Sequence, residues 1–179
     1  MAQDTTQTTS FSALSTGMAD AVEQVAPALV MVDARRRLPA SGVVFADNLV
    51  LTADHVLERE EDLTVTTHDG RTLPATFVGR DTSSDLAVLQ VENLNLTPAT
   101  QAESARVGQF LLAVGRPSQE GPTASFGIVS AVSGPLRTRR GGMLKEHIRT
   151  DAVPYPGFSG GPLVNADGQV LAIMTTGLA

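Results

Sequence analysis

The sequence contains no cysteine. That excludes disulfide-stapled scaffolds, zinc–thiolate and iron–sulfur sites, and cysteine nucleophiles together. It leaves the compartment open, because extracytoplasmic domains can do without disulfides. Nor is there a run of about 18 apolar residues, the length at which a segment reads as a membrane-spanning helix. The first ten residues are polar and lack a basic segment followed by an apolar one, so they do not read as a signal peptide. An excess of basic residues is missing too, and the formal net charge of -6 argues against a nucleic-acid binder. What is present is the composition of a globular chain, 42% hydrophobic and 18% charged. Its 179 residues can bury one core or two small barrels packed together.

Residues 1–14 are rich in Thr, Gln and Ser and predict a flexible or partner-docked arm. Residues 15–26 predict a short helix. Ser15 or Thr16 caps it, Met18, Ala21, Val22 and Val25 form one apolar stripe, and Pro27 stops it. Beyond Pro27 the pattern changes to short β-rich runs. Strands are expected over 29–34, 41–45, 49–52, 63–67, 75–80 and 85–91, and then, after a link at about 93–104, over 110–114, 124–132, 147–150, 162–164 and 170–174. Turn signals separate them: Asp69-Gly70, Gly115-Arg116-Pro117, Ser133-Gly134-Pro135, Gly141-Gly142 and Asp167-Gly168. This is an all-β pattern of the sandwich or barrel kind.

Three segments carry side chains suited to chemistry. Gly157-Phe158-Ser159-Gly160-Gly161 places a serine among glycines, which lets a tight turn expose the hydroxyl and lets substrate approach the backbone. In such a turn the amides of Gly157 and Ser159 can aim at one oxygen, a donor pair worth on the order of 3 kcal/mol each to a developing oxyanion. By itself the string equally suits a Gly/Ser hairpin. A serine hydroxyl needs an adjacent base, and Thr52-Ala53-Asp54-His55 sets a histidine directly after an apolar run. Imidazole has the pKa for that task, although an isolated histidine there also reads as a loop-end residue satisfied by backbone. Asp85 opens the apolar run Leu86-Ala87-Val88-Leu89, where a carboxylate can be buried against an imidazole and set its tautomer. Nearby Asp81 suits capping the turn through its side chain.

Together these segments resemble the protease domain of the HtrA (Deg) serine proteases. Ser41-Gly42-Val43-Val44-Phe45 through Leu51-Thr52-Ala53-Asp54-His55-Val56 resembles the strands leading to the family's histidine, and Ser84-Asp85-Leu86-Ala87-Val88-Leu89 its aspartate segment. Ala113-Val114-Gly115-Arg116-Pro117 and Gly127-Ile128-Val129-Ser130-Ala131 resemble two strands of the second barrel. Arg149-Thr150-Asp151-Ala152 through Gly157-Phe158-Ser159-Gly160-Gly161-Pro162-Leu163-Val164-Asn165 resembles the nucleophile segment. The likeness spans roughly residues 15–176, in the order His, Asp, Ser. It implies a chymotrypsin-like fold of two orthogonally packed, six-stranded antiparallel barrels, the first over about 27–92 and the second over about 105–179. It implies a cofactor-free endopeptidase, with Ser159 as nucleophile, His55 as base and Asp85 orienting it, that acts on unfolded or misfolded polypeptides outside the cytoplasm. The oxyanion hole would be built from the amides of Gly157, Phe158 and Ser159.

Departures from the family pattern carry expectations of their own. Phe158 replaces an asparagine; its amide can still serve, and its ring can crowd or shape the pocket. Phe126 replaces a small polar residue. The family continues past the position of Ala179 with one more strand and a helix, and often with PDZ domains. The second barrel is therefore expected to lack a strand and to present an open edge. By resemblance, the position six before the serine lies at the base of the primary pocket. Here it is Val153, which implies small or medium apolar residues on the acyl side of the cut. Ile173, Met174 and Thr175 would edge the same pocket and pair with extended substrate. The family also implies a trimer built through the N-terminal arm, with Phe11 as a candidate contact, and an anchor or PDZ domain outside this chain. The alternative reading is an inactive or truncated protease-fold module that binds peptides. The Arg35–Arg37 and Arg137–Arg140 runs read as solvated loops, and His68 and His147 as a hairpin tip and a strand residue, with no metal expected.

Overall fold

The computed structural model describes residues 11–36, 38–138 and 141–175. The chain opens with helix α1, Phe11–Val25, which lays Met18, Ala21, Val22 and Val25 against the first core. It begins a turn earlier than expected, because nothing in Phe11-Ser12-Ala13-Leu14 breaks a helix. Pro27 sits within the short 3-10 turn Ala26–Ala28 that ends the helical segment. The rest of the polar arm, residues 1–10, lies outside the described residues.

Six strands follow: β1 Leu29–Asp33, β2 Ala40–Ala46, β3 Leu49–Ala53, β4 Leu63–Thr66, β5 Thr72–Asp81 and β6 Leu86–Gln90. They close into an antiparallel barrel in the order β1-β2-β3-β6-β5-β4, with β4 returning to pair with β1. Val30, Val32, Val43, Val50, Leu63, Val65 and Leu89 pack its interior. β-branched residues dominate because they fit a pleated, half-buried surface.

The second unit is a five-stranded open sheet in the order β11-β8-β7-β12-β13, a half-barrel. Its strands are β7 Phe110–Ser118, β8 Gly121–Ser133, β11 His147–Thr150, β12 Pro162–Val164 and β13 Val170–Ile173. A hairpin of β9 Leu136–Arg137 and β10 Met143–Leu144 stands beside it. These two-residue strands carry no readable alternation, which is why the sequence did not announce them. Leu111, Ala113, Val129, Phe158, Leu163 and Met174 form the second core, while Leu112, Val114 and Val164 face the first. The connection between the units is fastened to both: Ala99 N–H donates to Val44 O at 2.8 Å, and Val170 N–H to Thr100 O at 2.8 Å.

One turn signal was misread. Gly115-Arg116-Pro117 continues β7 to Ser118, through a register irregularity between Gly115 and Ser118. Gly115 is there for space: a Cβ would lie 2.7 Å from Phe158 Cδ1 and 2.9 Å from Ser41 Oγ. The glycine admits a neighbouring ring, and does not bend the chain.

Candidate active site

His55 stands in the 3-10 turn Asp54–Val56 that ends β3. Asp85 immediately precedes β6 in the left-handed conformation, φ 58°, which Asp tolerates better than most residues. Two backbone links dock these segments. Asp54 N–H donates to Asp85 O at 3.0 Å, and His55 N–H to Asp85 Oδ1 at 2.9 Å. The other carboxylate oxygen, Oδ2, lies 2.6 Å from His55 Nδ1. On the far side of the ring, Nε2 is 3.1 Å from Ser159 Oγ. Side-chain exposure falls from 25% at His55 to 1% at Asp85, so the carboxylate is buried behind the ring. The three residues named from sequence therefore form one connected line across the junction of the two units.

Ser159 is held by a turn of glycines. Gly157 and Gly160 both have positive φ, 88° and 85°. A Cβ on Gly160 would meet Ser41 O at 2.2 Å and Thr52 Oγ1 at 2.3 Å, so the turn presses against the first barrel. Gly160 N–H donates to Met174 O, Met174 N–H to Gly161 O, and Gly161 N–H to Phe158 O. Ser41, fully buried, organises the opposite side. Its hydroxyl donates to Gly157 O at 2.7 Å and accepts from Arg116 N–H at 2.8 Å, while its own N–H donates to Ser159 O at 3.1 Å. Next to this hub the Arg116 side chain is buried, and that burial lowers its guanidinium pKa from the ordinary value.

The expected amide cradle needs one correction. Phe158 N–H donates to Tyr155 O at 3.0 Å, so it is already engaged. Among the described residues, the Gly157 and Ser159 amides have no protein acceptor. The Phe158 ring also lies outside the cleft wall. It is 1% exposed, packs in the second core and meets Tyr155 edge-on at 5.4 Å.

A cleft of about 1150 Å³ runs past His55 and Ser159. Ala152, Tyr155, Pro156, Ile173, Met174 and Thr175 contribute to its walls. Val153 does not; it is 55% exposed, with its carbonyl accepting from Ser125 Oγ at 2.6 Å. The count back from the serine crosses Pro154 and Pro156, and this loop puts Ala152 and Tyr155 in the wall instead. Thr175 has a second attachment, because its Oγ1 donates to Asp85 Oδ2. The buried carboxylate thus receives His55 N–H, the ring and a hydroxyl. Neither Ser41 nor this role of Thr175 was found from sequence. Buried hydroxyl donors leave no spacing signal, although Ser41 lies within the Ser41-Gly42-Val43 motif. Among the described residues, no three His, Asp or Glu side chains converge as a metal site requires.

The trypsin-like peptidase domain family is matched over residues 40–173. The chain belongs to that family. The curated relatives it resembles are HtrA/Deg serine proteases. A probable periplasmic DegP-like serine endoprotease of Halomonas elongata is 38% identical over 78% of this chain and 29% of that protein. Serine protease HTRA1 of Xenopus tropicalis is 36% identical over 88% of this chain and 38% of its own. Among solved structures, the serine endoprotease of Yersinia pestis superposes with a TM-score of 0.72 at 34% identity, covering 87% of this chain and 56% of that one. The HtrA-type protease AlgW, solved with a tripeptide, superposes with a TM-score of 0.75 at 33% identity, covering 87% and 53%. This trypsin-like domain spans about a third of the length of the curated relatives it matches.

Proposed function

We propose that this domain is a serine endopeptidase, and the observation that carries the reading is the unbroken line Asp85–His55–Ser159. Asp85 holds Nδ1 protonated, so that Nε2 is the basic nitrogen facing the hydroxyl. Ser159 Oγ attacks a peptide carbonyl while Nε2 takes its proton. The amides of Gly157 and Ser159 receive the oxyanion. His55 then returns the proton to the leaving amine, and a water repeats the sequence on the acyl-enzyme. No step calls for a metal or cofactor.

The apolar wall of Ala152, Tyr155, Ile173 and Met174 favours small or medium apolar side chains on the acyl side of the cut. The carboxylates along the cleft, Glu58 and Glu146, are both exposed, so neither suits a buried partner for a substrate lysine or arginine. Open access along the cleft suits extended polypeptide, which supports unfolded or misfolded protein as substrate and a quality-control role. Periplasmic relatives support an extracytoplasmic location, and no described helix is long and apolar enough to cross a membrane. Phe11, 86% exposed on α1, is available for self-association into the implied trimer.

The test is labelling with a fluorophosphonate probe together with digestion of fluorescein-labelled casein. The native chain should be modified at Ser159 and should cleave casein. Ser159→Ala should lose the label and at least about a thousandfold in kcat/KM. A folded native chain that takes no label overturns the endopeptidase reading and leaves a peptide-binding module.

A further inference from the structure

Asp54 adjoins His55 in sequence, yet its carboxylate turns away from the cleft and is buried. Its Oδ1 meets Arg80 Nη1 at 3.0 Å, an ion pair without the straight geometry of a hydrogen bond. Arg80 lies near the end of β5, and its Nη2 pairs with Glu60. Its guanidinium lies over the Phe77 ring, 4.7 Å from the centroid. Residues three apart on an unbroken strand face opposite sides. The irregularity between Phe77 and Gly79 breaks that alternation and lets Arg80 share a side with Phe77. Arg80 thus has three attachments, all outside the cleft.

The segments it joins are those that deliver the base and its carboxylate. Asp54 belongs to the first, directly preceding His55 in its turn, and through its N–H to Asp85 O it touches the second. Asp81, the residue after Arg80, accepts from Ser83 N–H and from the Ser83 and Ser84 hydroxyls, shaping the turn that presents Asp85. We infer that Arg80, acting through Asp54, is a positioning residue that fixes the histidine turn against the aspartate turn. This rests on the reading of His55 and Asp85 as a catalytic pair.

The physical case is one of uncompensated charge. Asp54 is buried while Arg80 is partly exposed, so removing the arginine leaves a buried carboxylate without its partner, which costs more than the pair contributes. Here the orphan would be Asp54, one residue from the imidazole. It relieves itself by admitting water or by rotating outward, and either displaces the turn that carries His55. A lysine supplies the charge but not the planar contact with Phe77 or the fork that spans Asp54 and Glu60.

The experiment compares the full chain with Arg80→Met, Arg80→Lys, Asp54→Asn/Arg80→Met and the control Arg71→Met. The control breaks the exposed Arg71–Asp69 pair and two contacts to carbonyls, at a hairpin outside the cleft. Four quantities are read: kcat and KM on fluorescein-labelled casein, the melting temperature, and the low-field proton resonance of the His55–Asp85 hydrogen bond. Arg80→Met should lower kcat about tenfold with KM nearly unchanged, and should shift or broaden the resonance. Arg80→Lys and the double variant should each recover part of both, because neither leaves a buried lone charge. Arg71→Met should lower the melting temperature without altering kcat or the resonance. Native kcat and resonance in Arg80→Met, or equal changes in the control, overturn the inference. The resonance needs no turnover, so a native chain that fails to label counts against the endopeptidase reading, while an unmoved resonance in Arg80→Met counts against this one.

Discussion

Thr175 shows how much a single hydroxyl decides. Asp85 is 1% exposed at its side chain, and its Oδ2 is shared by the His55 ring and the Thr175 hydroxyl. A carboxylate buried among donors is fixed in direction, and that direction determines where Nε2 points. Thr175→Val keeps the shape and removes the donor. It should lower kcat about tenfold while KM on casein changes little, whereas Thr175→Ser should retain most of the activity. A Val variant with native kcat would assign the hydroxyl to packing alone. Residues of this kind separate what the sequence revealed from what it hid. His55, Asp85 and Ser159 could be read because each sits in a local string of strand, turn and glycine. The hydroxyl bonds of Ser41 and Thr175 could not, since a lone hydroxyl leaves no such local string; Thr175 was readable only as a residue of the pocket edge. The Phe158 ring was misjudged because its destination beside Gly115 is a tertiary fact.

At the scale of elements, the serine turn and helix α1 use glycine in opposite ways. Gly160 has φ 85° and no room for a Cβ, since backbone and side-chain oxygens of the first barrel would stand within 2.3 Å of one. Gly17 lies within α1 with nothing within 4 Å of an added Cβ. Gly160→Ala should therefore destabilise by more than about 2 kcal/mol, from left-handed strain and displaced oxygens. Gly17→Ala should stabilise by about 0.5–1 kcal/mol by restricting the unfolded chain and favouring helix. Urea denaturation monitored by circular dichroism reads both, as a lower and a higher midpoint. Equal midpoints for the two variants would contradict the steric account. The contrast also explains the turn misreading at Gly115. In sequence a glycine that bends the chain and a glycine that makes room look alike.

At the scale of the molecule, the line of polar contacts crosses from a closed barrel to an open sheet, so its geometry depends on how the two units dock. The six strands of the first barrel were legible as β-rich runs bounded by turn residues, whereas their closure into a barrel came with the family likeness. The meeting of residues 55, 85 and 159 was not deducible from alternation alone and came only through family likeness. Acid should challenge this assembly. Protonating the 19 acidic side chains leaves 13 lysines and arginines and three histidines unopposed.

Two carboxylates mark where the loss begins. Thr67 and Arg71 donate to Asp69 and lower its pKa from 3.8 to about 2. Ser83 and Ser84 lower that of Asp81, in the turn that presents Asp85. A carboxyl with a depressed folded pKa stabilises fully above its unfolded value. The stabilisation is lost as pH falls toward the folded value, which for Asp69 means the window from about 4 down to about 2. Asp69→Asn should consequently show a lower urea midpoint than the native chain at neutral pH, by a small margin because the site is exposed and screened. That margin should hold steady above about pH 5 and shrink as pH falls toward 2. Asp81→Asn should behave alike and should also lower casein cleavage, because its turn carries Asp85. A gap that widens toward low pH would mean that these carboxyls are not the groups whose protonation weakens the fold.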